Sequence, residues 1–95
     1  MQTELYTYFA RYGLQTQQYR FSICKIASNY RVYLEKIPDY KGRNRDLQIV
    51  HCYMDIQNRP YLCWTEPIRS VEDAKKIARV WADRTQMYIC TGICF

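Results

Sequence analysis

Glycine and proline are scarce, with three of each in 95 residues. That leaves no room for long flexible linkers, and the chain reads as a single globular domain over 1–95. Histidine is scarcer still: His51 stands alone, so any imidazole chemistry has to run through it. No apolar run approaches the ~20 residues that a membrane helix needs; residues 87–90 form one of the longest. Met1-Gln2-Thr3-Glu4 has no positive n-region and no apolar stretch follows it, so no secretory leader is expected. A cytoplasmic protein with no membrane association is the expectation. Paired carboxylates, a glycine-rich phosphate loop, a dinucleotide fingerprint and a CxxC pair are all missing, which removes the usual sequence signs of an enzyme or a cofactor site. No cofactor is expected.

Tyrosine is what the chain has in excess, at ten residues, together with 14 Lys+Arg against 9 Asp+Glu and a net charge of +5. A tyrosine ring buries apolar area while its hydroxyl stays wet, so the residue suits surfaces that bind. Ten rings are more than one small core can hold with every hydroxyl satisfied. Tyr8, Tyr12 and Tyr19 suit the core or its rim, whereas Tyr6, Tyr40 and Tyr61 are expected at the surface. The charge is uneven. Residues 1–45 carry eight basic and three acidic groups, and residues 46–95 carry six of each. The whole excess lies in the first half, where an acidic partner would be met.

The periodicity predicts an α+β fold: an antiparallel sheet of four or five strands, a short N-terminal helix, and a longer amphipathic helix packed on one face. Leu5, Tyr8, Phe9 and Tyr12 fall at helical spacing, with Thr3 to cap the start and Gly13 to end it. Residues 19–26 and 31–37 read as a hairpin about Ser28-Asn29. Residues 38–46 read as a loop, 47–56 as the longest strand, and 61–65 as a short one opened by Pro60. Short links between successive strands imply a meander. Ser70-Val71-Glu72-Asp73 has the pattern of a capped helix start, and the helix is expected over about 70–85. Its inner stripe is Val71, Ala74, Ile77, Ala78, Trp81, Ala82 and Thr85, with Trp81 the main anchor. On its outer face Glu72–Lys76 and Arg79–Asp83 are spaced as i,i+4 ion pairs. Residues 87–95 then form a last strand or a packed tail.

The five cysteines, Cys24, Cys52, Cys63, Cys90 and Cys94, are odd in number, as suits free thiols in a reducing compartment. Neighbouring residues of a strand point to opposite faces, so His51 and Cys52 do not chelate together, and no metal site is expected. A thiol- or zinc-dependent protein, with His51 near Cys63 or with Cys90 and Cys94, is a lesser alternative. The basic loop offers more. Arg31, Tyr33, Lys36, Tyr40, Lys41, Arg43 and Arg45 lie on one strand and the loop after it, and together they make the candidate partner-binding surface. Lysine and arginine neutralise phosphate or carboxylate, and a tyrosine can stack on a base.

The order helix–strands–helix is similar to the double-stranded RNA-binding domain. That family opens its second helix with glycines and a lysine cluster; here the stretch is Pro67-Ile68-Arg69-Ser70-Val71-Glu72-Asp73-Ala74-Lys75-Lys76, without glycine and with acids where phosphate would dock. Ser70-x-Glu72-Asp73-Ala74-x-x-x-Ala78 also resembles the sheet-plus-helix DNA-binding domains of phage integrases over about ten residues. In kind, a short, aromatic and half-basic chain resembles small phage or mobile-element proteins such as anti-CRISPR inhibitors. The expected function is therefore a non-enzymatic binding protein that sterically blocks a protein or nucleoprotein partner. Direct DNA or RNA binding by the same hairpin and 38–46 loop is the alternative. A homodimer through the apolar tail or an edge strand is compatible with the pattern.

Overall fold

The structure is a computed structural model that describes residues 3–95; Met1 and Gln2, which begin the stretch searched for a leader, lie outside the described residues. The architecture is α+β: one five-stranded antiparallel sheet, one long helix against it, and one short helix. In chain order the elements are β1 (Thr3–Tyr12), β2 (Gln15–Ile26), β3 (Asn29–Leu34), α1 (Leu47–Val50), β4 (Cys52–Met54), β5 (Pro60–Leu62) and α2 (Val71–Thr91).

The first ten described residues form a strand, not the short helix expected of them. Thr, Tyr and Phe dominate β1, and these residues favour a pleated half-buried surface. All ten residues pair with β2, from Thr3↔Cys24 to Tyr12↔Gln15. Gly13 serves this hairpin instead of ending a helix. It takes φ +60 at the first position of a two-residue turn, where glycine meets no steric penalty. Ala27, with φ 56, holds the equivalent place between β2 and β3. The likeness of layout to the double-stranded RNA-binding domain falls with the missing leading helix.

The second correction concerns residues 47–56. Asn44 Oδ1 accepts from the Asp46 amide, and Asp46 O accepts from Ile49 and Val50, so the chain winds into the single turn of α1. His51, in the left-handed region at φ 56, closes that turn with its N–H on Leu47 O. Only Cys52–Met54 remains extended. The meander is broken as well. The strand order is β1-β2-β3-β5-β4, because the 35–51 connection carries the chain to the far edge and β5 returns between β3 and β4.

Helix α2 begins where the sequence indicates, with Ser70 Oγ accepting from the Asp73 amide at 3.0 Å. It runs past 85 to Thr91, absorbing the stretch expected as a strand or tail. Tyr88 and Ile89 extend the stripe of Ala78, Trp81 and Thr85, and Gly92 at φ 77 caps the end through its N–H on Tyr88 O. Ala74, Ala78 and Ala82 are completely buried at i,i+4 spacing, which lets the helix backbone approach the sheet closely. Trp81 fills the centre, edge-on to Tyr19 at 6.0 Å and to Phe21 at 6.2 Å, and its indole N–H donates to Val50 O at 2.8 Å.

Arg79 and Asp83 do not pair with each other as the helix spacing suggested. They join a seam between α2 and β1. Lys75 meets Glu4 at 2.7 Å, Arg79 donates to the Tyr6 hydroxyl at 3.0 Å, and the Tyr8 hydroxyl donates to Asp83 at 2.8 Å. Two strand residues advance about 6.6–6.8 Å and four helical residues about 6 Å, so the two repeats stay in step over three contacts.

No helix among the described residues is long and apolar enough to cross a membrane.

Candidate functional site

Helix α2 covers only one face of the sheet. On that face Tyr19, Phe21, Ile23, Val32 and Leu34 are buried in the core. Strand alternation sends their neighbours to the open face: Leu5, Thr7, Phe9 and Arg11 from β1, Arg20 from β2, and Arg31 and Tyr33 from β3. Tyr33 pairs with Tyr61, and Tyr61 with Tyr53, so three tyrosines cross three strands in one row. Their ring centroids stand 5.6 and 5.7 Å apart.

Two guanidinium groups lie on this row. Arg31 sits 4.1 Å above the Tyr61 ring and donates to the Tyr33 hydroxyl at 3.0 Å. Arg59 sits 4.6 Å above the Tyr33 ring. Tyr33 is left only 4% exposed, whereas Tyr53 at the end of the row is 52% exposed.

Asp55, at the tip of the β4–β5 hairpin, holds the arrangement. Its carboxylate accepts from the amides of Arg59 and Gln57, from Arg59 Nε at 3.0 Å and from the Tyr33 hydroxyl at 3.0 Å. These bonds, the Arg59 amide first, lower its pKa to about 2. A depressed carboxyl pKa contributes stability that is present above the unfolded value of 3.8 and is lost as pH falls through about 2. The protection factors of the Gln57 and Arg59 amides, with the intrinsic pH dependence of exchange divided out, should therefore fall between pH 4 and pH 2. Asp55→Asn should show that lower protection already at neutral pH and flatten the acid response. An unchanged acid response in Asp55→Asn would assign the transition to another group.

Beside the row runs a groove of about 460 Å³, bordered by Ile26, Met54, Ile56 and both arginines. Ile56 is fully exposed at the hairpin tip, and Met54 beside it is 46% exposed. The open face thus joins arginine and tyrosine to protruding apolar side chains.

The seven residues singled out from the sequence are divided between different sides of the molecule. Arg31 and Tyr33 come together on the open face. Tyr40 is a core residue at 5% exposure, and burial raises its pKa. The expectation of a surface Tyr40 fails because the 38–46 loop folds back against the core. Arg43 is directed to the end of α2, where its Nε donates to Ile89 O and its guanidinium lies against Gly92. Lys36, Lys41 and Arg45 are exposed without ion-pair partners among the described residues. Tyr53, Asp55, Arg59 and the full role of Tyr61 were missed. They become visible only once the β4–β5 register is known.

The other chemistries have less to stand on. His51 Nε2 is engaged with Phe95 O at 2.5 Å, and burial pushes the Cys52 thiol up to about 12, which keeps it protonated at neutral pH. All five cysteines are free thiols, and no three His, Cys, Asp or Glu side chains gather at metal-binding distance among the described residues. No protein-family model, curated protein or solved structure matches the chain.

Proposed function

We propose that this is a non-enzymatic binding protein whose open sheet face occupies a surface of a protein partner. The observation that carries this reading is the set of Arg31 and Arg59, held in place by Tyr33, Tyr61 and Asp55 and flanked by exposed apolar side chains. Arginine and tyrosine are the residues that most often dominate protein interfaces. A guanidinium already fixed on a ring loses little entropy on binding.

The same geometry favours protein over single-stranded nucleic acid. A stacking platform needs free ring faces. Here Arg31 and Arg59 lie over the rings of Tyr61 and Tyr33. The small size and the lack of a catalytic constellation suit a steric blocker, of the kind by which mobile elements disarm host defence complexes. Occlusion requires affinity and shape and no chemistry.

The test has two parts. Tagged protein is used to capture a partner from its native host, and its affinity is compared with that of Arg31→Glu/Arg59→Glu and of Tyr53→Ala. Loss of one defined partner, with binding at least about tenfold weaker, is expected. Labelled DNA and RNA are titrated over a salt series. Salt-steep nucleic-acid binding that the arginine variants abolish, or partner capture that ignores the face, would overturn the reading.

A further inference from the structure

A second cavity lies away from the open face, between the end of β3, the 35–46 connection, α1 and the β4–β5 hairpin. Its volume is about 280 Å³, at the lower edge of the ~300–1,000 Å³ typical of small-molecule sites. Leu34, Ile37, Leu47, Val50, Met54 and Pro60 supply an aliphatic lining. Ile37, Leu47 and Met54 each keep more than a third of their surface exposed, so the cavity opens to solvent.

Three polar side chains complete the lining: Tyr40, Cys52 and Arg45. Arg45 is the only charged group among them. It is exposed and has no ion pair or side-chain hydrogen bond among the described residues. No carboxylate lines the cavity to neutralise it. Tyr40 is 95% buried, yet its hydroxyl makes no hydrogen bond to a described residue, whereas the comparably buried Tyr19 and Tyr88 hydroxyls donate to Gln86 and to Asn44 O. Thr85 Oγ1 is the one buried side-chain polar atom left without a partner among the described residues, so the Tyr40 hydroxyl keeps contact with solvent and is free to donate to a ligand. Cys52 donates its thiol to Val50 O and adds no acceptor for a cation.

An aliphatic chamber with one free guanidinium and one unpaired hydroxyl matches one ligand chemistry. We infer that this cavity binds a short aliphatic carboxylate. The chain of such an acid fills the Leu/Ile/Met lining. Its carboxylate accepts from the Arg45 guanidinium, with the Tyr40 hydroxyl as a second donor. An arginine fork suits the two oxygens of a carboxylate better than a single alcohol oxygen. The aliphatic lining offers an aromatic body no ring to stack on except Tyr40, and the volume holds only a short aliphatic chain. None of the tyrosine row lines this cavity, and Met54 is the one residue it shares with the groove on the open face.

Hexanoate, 1-hexanol and hexylammonium are the probes, followed by methyl NMR on the whole chain. Hexanoate should give saturable shifts centred on Leu34, Ile37, Leu47, Val50 and Met54. Hexanol should bind at least tenfold more weakly, and hexylammonium not measurably. Arg45→Gln, at an exposed position, should weaken hexanoate about tenfold and leave hexanol unchanged. Leu47→Trp should close the mouth and remove binding of both. Equal affinity for hexanoate and hexanol would overturn the assignment, as would shifts centred elsewhere or an Arg45→Gln variant that binds hexanoate normally. Leu34, Ile37, Leu47 and Val50 lie off the open-face groove, so their shifts distinguish failure of this site from failure of the partner-binding reading.

Discussion

Replacing Trp81 by alanine is expected to cost about 3–5 kcal/mol, the range for deleting a large aromatic from a packed core. The indole lies edge-on to both Tyr19 and Phe21, so its loss opens a void between α2 and the middle of β2. Its N–H is also the donor to Val50 O, the last residue of α1, so the same change unclamps the one-turn helix. Small domains have about 5–15 kcal/mol in total, so a large share of the stability goes with one side chain. Urea unfolding followed by far-UV circular dichroism measures this. A drop in Tm of at least about 12 °C should accompany it, from about 4 °C per kcal/mol for a domain of this size. Trp81→Phe separates the two roles: it keeps most of the ring packing and loses the bond to Val50 O, so its cost should fall to about 1–3 kcal/mol. A loss below 1 kcal/mol for Trp81→Ala would mean that the helix is not anchored there.

Gln86→Met is expected to destabilise by about 2 kcal/mol although the side chains are similar in size. Gln86 is only 1% exposed, and its Oε1 accepts from the Tyr19 hydroxyl at 2.8 Å and from Gln17 Nε2 at 3.0 Å. Methionine removes the acceptor and leaves the Tyr19 hydroxyl in low-dielectric surroundings, where burial already raises its pKa. The penalty belongs to the stranded hydroxyl more than to the lost bond. Tyr19→Phe in the Gln86→Met background should therefore recover part of the loss, because the stranded hydroxyl is gone and only the part-buried Gln17 Nε2 is left without its two acceptors. A double-mutant cycle in urea gives the coupling. Additive effects would show that the two side chains do not share a bond. Gln17 contributes at a distance as well, since its Oε1 accepts from the Asp39 amide and ties the 38–46 loop to β2.

The candidate face was half legible. Arg31 and Tyr33 alternate with the apolar Val32 and Leu34, and alternation alone sends them away from the core. The other half of the row could not be read. Tyr53 and Tyr61 meet Tyr33 only because β5 inserts between β3 and β4, which no local pattern encodes. The basic loop misled for a related reason. A charged loop between strands reads as solvated, yet Tyr40 turns inward and Arg43 is drawn to the carbonyl of Ile89 in the last turn of α2. Free carbonyls at a helix C-terminus attract such donors.

Determined by the sequence itself are the features that depend on neighbours a few residues apart. The Ser70 cap, the apolar stripe of α2, the β2–β3 hairpin and the α+β class all follow from spacing, because each is stabilised within one turn or one hairpin. Only the tertiary structure decided the rest. Residues 3–12 carry both a helical stripe and strand-forming side chains, and pairing with β2 together with the seam along α2 chose the strand. Residues 47–56 were split because His51 adopts a left-handed conformation and Trp81 holds Val50. The order of the last two strands, and with it the tyrosine row, rests on contacts between segments distant along the chain, whose energies a linear pattern does not contain.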